Sequence, residues 1–298
     1  MIYTEKPRLT LYTSIILVFL SVLAISINFF YTQYPGNNYF PAHTPYLLLM
    51  LTLMYSGCLL QFGQNSQLAA ILKEVVCFFL VLSVIALATN AAQYTPFPVI
   101  DQQILALEKL LHINYEVLLA WTQTKPDFKK MLECIYNTLP YQMVYLPLLV
   151  IAAKRWDLIR EYYFLLLFSA LIGFSFYYFF PTTAPASIIN SPYFNESQRA
   201  TALKFMQIHH HIQPTTLDGG LIALPSFHVI WAWFCLYLLR NWVVWFILML
   251  PINMLLIASC VLLGWHYLLD VVGGLLTICL AHAIYFACRE NTSNARNR

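Results

Sequence analysis

Two ionisable side chains near the end of the chain have a spacing suited to covalent chemistry. His266 and Asp270 are four residues apart, so a helix would place them on one face. The carboxylate can then hold one imidazole N–H and leave the other ring nitrogen free to attack an electrophile such as phosphorus. A buried His–Asp pair that only joins two helices has the same spacing. From the spacing alone, a nucleophile and a structural pair remain equal alternatives.

A second motif, Leu224-Pro225-Ser226-Phe227-His228, has the residues expected at the start of a helix. The first turn of a helix offers unpaired backbone N–H groups and the positive end of the helix dipole, which together suit a phosphate group. At that place His228 can act as a general acid and base. The alternative interpretation is a capped helix with a histidine at the membrane interface.

The composition indicates what kind of scaffold holds these motifs. Of 298 residues, 60% are hydrophobic and only 10% are charged, and the mean hydropathy is +0.66. Uncharged apolar runs of about 18 residues or more can cross a bilayer as helices. Such runs occupy residues 10–31, 45–62, 75–92, 134–153, 162–180 and 242–264, and two weaker ones occupy 224–239 and 267–288. The sequence therefore predicts an all-α, polytopic membrane bundle of about eight transmembrane helices. It excludes a soluble enzyme, a nucleic-acid binder and a disordered chain.

The order of the spans predicts that the two motifs meet. The fifth span ends near residue 180, the sixth begins near 224, the seventh ends at 264 and the eighth begins near 266, so all four ends lie on one side. Most Lys and Arg residues fall on the opposite side, which also holds the N-terminus, and this bias marks the cytoplasmic side. We therefore expect both termini in the cytoplasm and the motifs on the non-cytoplasmic face.

Three motifs in order resemble the type 2 phosphatidic acid phosphatase superfamily: Phe180-Pro181-Thr182-Thr183-Ala184-Pro185, Pro225 to His228, and Gly264 to Asp270. The resemblance covers the fifth to eighth spans, and more loosely the segment from residue 96. It implies a phosphohistidine at His266, oriented by Asp270, with His228 as general acid and base and no metal or other cofactor. It also implies a catalytic phosphatidic-acid-phosphatase-like domain over 96–288. The first three spans carry no charge and no nameable chemistry, so we expect 1–95 to be accessory, and we expect 289–298 to be a cytoplasmic tail.

Two positions depart from the pattern of the lipid phosphatases. Where they have an Arg and a Lys to hold the phosphate, this chain has Cys260 and Gly173. The spelling of the motifs is instead similar to a branch containing inositol phosphorylceramide synthases and their bacterial relatives, which transfer a phospho-head-group between lipids. That likeness implies a membrane-lipid diester as substrate, an acceptor alcohol or second lipid, and a bacterial inner membrane. Candidate substrate ligands are Ser226, Pro225, Thr182 and Thr183.

Several alternatives stay open. A phosphatase for polyprenyl or phosphatidyl phosphates would use the same residues with water as the acceptor, and a non-catalytic transporter or scaffold would retain only the bundle. In the connection over 181–223, the run His209 to His211 favours a polar loop over a zinc site. Arg199 and Lys204 either supply charge near the site or only solvate this loop, and we expect solvation. The charged and apolar residues between 96 and 130 alternate as in a helix that lies in the interface plane, and the alternative is a solvated helix packed on the bundle.

Overall fold

The computed structural model describes residues 7–296. The terminal residues 1–6 and 297–298, which include part of the predicted cytoplasmic tail, lie outside the described residues. Over 7–296 the chain forms twelve α-helices and no strands. They are α1 (Pro7–Ile27), α2 (Thr44–Phe62), α3 (Gln67–Ala92), α4 (Asp101–Leu110), α5 (Tyr115–Gln123), α6 (Pro126–Tyr136), α7 (Leu139–Ala152), α8 (Trp156–Phe179), α9 (Glu196–His209), α10 (Phe227–Leu238), α11 (Val243–Leu262) and α12 (Leu268–Arg296).

Eight stretches of helix correspond to the eight predicted spans. Six helices, α1, α2, α3, α8, α11 and α12, are long and apolar enough to cross a membrane. A seventh crossing is formed if α6 and α7, which meet at a 43° bend, count as one broken span, and the shorter apolar helix α10 lies where the sixth span was predicted. The all-α, polytopic membrane bundle is confirmed.

Helix α8 is the centre of the bundle. It packs against α1, α3, α7, α10 and α12, and residues such as Leu165, Leu166 and Leu167 are almost wholly buried. A helix that is apolar on all sides is expected at such a central place. Because Phe78 and Val81 of α3 belong to the same hydrophobic cluster as α8, the accessory spans pack directly on the predicted catalytic part. The division at residue 95 stays a prediction.

Helix α10 is short for a membrane helix. Its 12 residues extend about 18 Å at 1.5 Å per residue, against about 30 Å of hydrocarbon. Ser226 caps its N-terminus by accepting a hydrogen bond from the Val229 N–H at 3.5 Å. The buried residues Ile230, Phe234 and Leu238 on three successive turns lie among neighbouring helices. The protein, not lipid, therefore surrounds this short helix.

The connection over 181–223 is not only a loop, because it contains α9. Asn195 and Gln198 form a reciprocal capping box at the start of that helix. Lys204 in its middle is fully buried, so the expectation that Lys204 solvates a loop is wrong. Its Nζ donates to the carbonyl oxygens of Asp218, Gly219 and Gly220 at 2.5, 3.0 and 2.9 Å, and burial lowers its pKa to about 8. Lys204 thus ties α9 to the chain that leads into the second motif.

Candidate active site

The nucleophile motif lies in the tight turn between α11 and α12. Gly264 has a φ of +79°, which glycine adopts without strain, and the N–H groups of Trp265 and His266 both donate to the Cys260 carbonyl. His266 therefore precedes the helix instead of lying on it. Its ring still reaches the first turn of α12, where Nδ1 is 3.2 Å from Asp270 Oδ2. Asp270 Oδ2 also accepts the Tyr267 N–H at 2.9 Å.

His228 faces the other nitrogen of the His266 ring. The distance from His228 Nδ1 to His266 Nε2 is 3.3 Å. Because the Asp270 carboxylate accepts a hydrogen bond from the His266 Nδ1–H, we assign the lone pair to His266 Nε2 and the hydrogen of the contact between the two rings to His228 Nδ1. The motifs that the sequence placed on one side thus form a continuous chain, Asp270–His266–His228.

An aromatic stack supports His228. The ring of Tyr136, on α6, lies 4.5 Å from the His228 ring at 17° and 5.4 Å from the Trp265 ring at 7°. Tyr136 Oη is 3.5 Å from His228 Nδ1. The stack limits the tilt of the His228 imidazole. The contact with His266 is made by His228 Nδ1 and does not involve His228 Nε2. Sequence reasoning missed Tyr136, which is one of 20 tyrosines in the chain and has no motif around it.

The predicted ligands Pro225 and Ser226 connect α10 to its neighbours. The Ser226 N–H donates to the Asp270 carbonyl at 3.0 Å, which fixes the start of α10 against the first turn of α12. Pro225 lies close to Gly173 of α8 and Gly273 of α12. Within residues 7–296 the N–H groups of Phe227 and His228 have no protein acceptor. These two free donors lie at the positive end of the α10 dipole.

Thr182 and Thr183 make different contacts. Thr182 Oγ1 accepts the Leu224 N–H at 2.9 Å, so the motif over 180–185 is hydrogen-bonded to the motif over 224–228. Thr183 donates both its N–H and its hydroxyl to Asp101 of α4, with distances of 3.0 and 2.8 Å. Both donors of Thr183 are thereby used within the protein. Burial raises the pKa of the Asp101 carboxyl, and the Thr183 hydrogen bonds act in the opposite direction.

Two residues of the interface segment hold the first turn of α12. Glu108 Oε1 accepts the Leu269 N–H at 2.8 Å, and Tyr115 Oη accepts the Leu268 N–H at 2.8 Å. A free helix N-terminus attracts anions, but here protein groups already occupy the donors of α12. The start of α10 keeps the available N–H groups. The sequence analysis did not identify Asp101, Glu108 and Tyr115 as site residues. The one sequence signal was that Asp101 and Glu108 are charged residues in an amphipathic segment.

The two positions that lack a basic residue are packed with neutral groups. A Cβ on Gly173 would lie 2.6 Å from Cζ of Phe227, so a lysine at residue 173 would require the Phe227 ring to move. Cys260 is fully buried, and its thiol donates to the Leu256 carbonyl at 3.4 Å. The site therefore has no cation at either position.

The three consecutive histidines have three separate environments. His209 Nε2 is 3.4 Å from Tyr177 Oη, His210 Nδ1 is 2.8 Å from the Met206 carbonyl, and the His211 ring stacks on Tyr34. Burial lowers the pKa of His209 to about 4. Among the described residues, no group of three or more His, Cys, Asp or Glu side chains has an arrangement that could hold a metal ion.

A comparison with models of known protein families shows to which family the chain belongs. Residues 102–284, more than half of the chain, match the family model of the PAP2 superfamily. The chain belongs to the PAP2 superfamily. No curated protein and no solved structure matches it. The match begins in α4 and ends in α12, so the PAP2 region includes Glu108 and Tyr115 as well as the three motifs. Membership supports a membrane enzyme of the lipid phosphatase and phosphotransferase type.

Proposed function

We propose that this PAP2 protein is a lipid phosphotransferase that forms a phosphohistidine on His266. The observation that carries the proposal is the chain Asp270–His266–His228, with distances of 3.2 and 3.3 Å between successive side chains. A nucleophile held by an orienting acid, with a proton-transfer group beside it, is the arrangement that covalent catalysis requires.

In the first step His266 Nε2 attacks phosphorus. The N–P bond forms while the P–O bond to the lipid alcohol breaks, and His228, which enters this step as the imidazolium, gives a proton to the departing oxygen and becomes neutral. Asp270 stabilises the positive charge that develops on the His266 ring. His228 Nδ1 lies 3.3 Å from His266 Nε2, so the His228 ring has to move aside for the phosphoryl group to enter.

In the second step an acceptor hydroxyl attacks the phosphohistidine. The hydroxyl gives its proton to His228, a new P–O bond forms, and the P–N bond breaks to restore neutral His266. With an alcohol or second lipid as the acceptor the product is a new phospholipid, and with water it is a phosphate monoester or inorganic phosphate. The motif residues are the same in both cases.

The uncharged residues Gly173 and Cys260, at the positions of the two basic residues of the lipid phosphatases, favour a diester substrate. A phosphate monoester dianion requires cationic recognition, whereas Gly173 and Cys260 replace both basic residues. A diester has one negative charge, which the N–H groups of Phe227 and His228 can stabilise at the start of α10. This supports transfer of a phospho-head-group, as in the inositol phosphorylceramide synthase branch. In this proposal no metal ion takes part.

The proposal also assigns an orientation. Both termini lie in the cytoplasm of a bacterial cell, and His266 opens to the non-cytoplasmic face of the inner membrane. Residues 96–288 form the catalytic part and residues 1–95 the accessory part. The distribution of Lys and Arg along the chain supports this orientation.

The experiment uses the purified protein in nanodiscs with phospholipids radiolabelled in the head-group phosphate, with and without acceptor alcohols. We expect acid-labile label on the wild-type protein and acceptor-dependent transfer of the head group. In His228→Ala the label should accumulate when the leaving group is good, because the base that activates the acceptor is missing. General acid–base help is worth about 10² to 10⁴ in rate.

Each result has a defined meaning. Release of inorganic phosphate without any acceptor identifies a phosphatase for lipid phosphates. Label on a residue other than His266, or full turnover by His266→Ala, contradicts the phosphohistidine mechanism. Absence of any reaction over a broad lipid panel favours a transporter or scaffold.

A further inference from the structure

A cavity of about 180 Å³ lies in the connection between α8 and α10, outside the motifs described above. Its wall consists of residues 186–191 together with Phe194 and Arg199. The proposed reaction uses none of these residues. The cavity has room for a small polar group such as a phosphate, and its polar lining makes it unlike the apolar packing elsewhere in the bundle.

Arg199 supplies the positive charge of this cavity. Its Nε donates to the Phe194 carbonyl and its Nη2 to the Ser191 carbonyl, both at 3.2 Å. A guanidinium has five N–H donors, so these contacts fix its orientation and leave others free. Among the described residues, no carboxylate forms an ion pair with Arg199. An oriented guanidinium without a carboxylate partner suits planar, bidentate recognition of phosphate.

A second, independent feature of the cavity is an unused hydroxyl. Ser187 Oγ is buried and has no hydrogen-bond partner in the protein. A buried hydroxyl without a partner costs free energy. Rotation about the Cα–Cβ bond of Ser187 would turn this hydroxyl into the cavity, where a bound anion would accept its hydrogen bond. Ser187 and Arg199 approach the cavity from the two ends of its lining segment, which precedes and enters α9.

The wall of the cavity touches the nucleophile motif. Phe194, in the wall, packs on Gly264, which lies two residues before His266. A Cβ added to Gly264 would be 2.9 Å from Cε1 of Phe194. Ile189, also in the wall, packs against the cluster that contains Tyr267. A single layer of apolar side chains therefore separates the cavity from the residues that flank His266.

We infer that this cavity is a second anion site, which binds a phosphate group other than the one that reacts at His266. The inference rests on the proposed function, since it assigns the phosphate to a second substrate or to a non-reacting part of the same one. The phosphate belongs either to a membrane lipid or to a free phosphorylated alcohol. Arg199 is the principal ligand and Ser187 donates a further hydrogen bond. Lys204 is not available, because three backbone carbonyls hold its ammonium group.

The test measures binding with the nucleophile removed. Inorganic phosphate is titrated by calorimetry into the full-length His266→Ala protein in phosphatidylcholine nanodiscs. We expect saturable binding that Arg199→Gln weakens about tenfold or more, because a hydrogen bond to a charged group is worth about 1.5–3 kcal/mol. Lys130→Gln removes an exposed cation of α6 and should leave the affinity unchanged. Ser187→Ala should weaken binding by a smaller factor and serves as a second variant if Arg199→Gln does not fold.

Competition separates the two sources of the phosphate. Phosphatidic acid in the nanodisc should weaken the apparent affinity for inorganic phosphate if the ligand is a lipid, and glycerol 3-phosphate should do so if it is a free phosphorylated alcohol. Lack of competition by both overturns the inference. So does absence of binding to His266→Ala, or a lower melting temperature of Arg199→Gln with unchanged affinity, which would show that Arg199 only joins two turns of the loop. Trapping of phosphohistidine on the wild-type protein tests the proposed function separately.

Discussion

The two ends of the bundle hold their buried carboxylates by different means. At the end opposite His266, Glu74 pairs with Arg160 at 2.8 Å and Glu161 pairs with Arg240 at 2.5 Å. At the site end, Asp101, Glu108 and Asp270 are almost completely buried. Among the described residues none of these three forms an ion pair with Lys or Arg. They are held by backbone N–H groups, a threonine hydroxyl and His266.

The difference shows what each arrangement can contribute. An arginine neutralises a carboxylate and joins two segments. Arg160 joins α8 to α3, and Arg240, two residues after the end of α10, joins that end to α8. An N–H or hydroxyl donor fixes the position of a carboxylate without cancelling its charge, so the charge stays available to orient and polarise an imidazole. We therefore expect substitutions at the arginine-paired end to change stability and substitutions at the site end to change rate.

The largest effect is expected for His266→Ala. Loss of a covalent nucleophile in an established triad costs on the order of 10⁶ in kcat, and turnover here should fall to background. The buried Asp270 carboxylate loses its imidazole partner but keeps the Tyr267 N–H, so the melting temperature should fall modestly while turnover is lost. Turnover of labelled lipid and thermal unfolding of the same preparation give both numbers. A large loss of stability with residual turnover would remove the proposed contrast between the two ends.

Asp270→Asn should have the next largest effect. The amide oxygen can still accept the Tyr267 N–H, so the first turn of α12 should form. The amide cannot stabilise a positive charge on His266 and favours the wrong tautomer, and a comparable change in a hydrolytic triad costs about 10⁴ in rate. Single-turnover labelling should show slow formation of phosphohistidine with a nearly normal melting temperature. A normal rate of labelling would contradict the orienting role.

Glu161→Gln tests the opposite end. Breaking a buried ion pair costs about 3–5 kcal/mol, and because the Arg240 side chain is 25% exposed, we expect a loss of about 2–3 kcal/mol. The rate at a temperature where the protein is folded should be unchanged. Asp157→Gln is a matched control, since its pairing with Arg155 is more exposed and worth less. A fall in rate without a fall in stability would show that the two ends are coupled.

Glu108→Gln should give the smallest effect on rate. The amide oxygen can still accept the Leu269 N–H, but the negative charge beside the first turn of α12 is lost, so kcat should fall about tenfold or less with KM unchanged. In Glu108→Leu, which has no acceptor for the Leu269 N–H, kcat should fall further. Glu116→Gln, an exposed glutamate on α5, is the control. Equal effects of the variants at 108 and 116 would mean that Glu108 does not position the site.

Much of the fold could be predicted because membrane helices are local features. A run of about 20 apolar residues can be identified as a span without knowing what packs against it. The order of four such spans predicted that His228 and His266 lie on the same side of the membrane. The contacts of Asp101 and Glu108 could not be predicted, because they depend on how α4 packs against residues 82 and 161 positions away in the sequence. The burial of Lys204 was missed for the same reason, since its three carbonyl partners lie in a turn without any motif.

The contact between the two histidine rings has a kinetic consequence. The nitrogen proposed to carry the phosphoryl group is covered by His228 at 3.3 Å, and the stack with Tyr136 and Trp265 resists rotation of that ring. Opening the pair requires binding energy, which a lipid with a long apolar tail can supply from contacts remote from phosphorus. A small soluble phosphate has no such contacts. If His266 is the nucleophile as proposed, we expect the closed pair to discriminate by the size of the ligand before any bond to phosphorus changes.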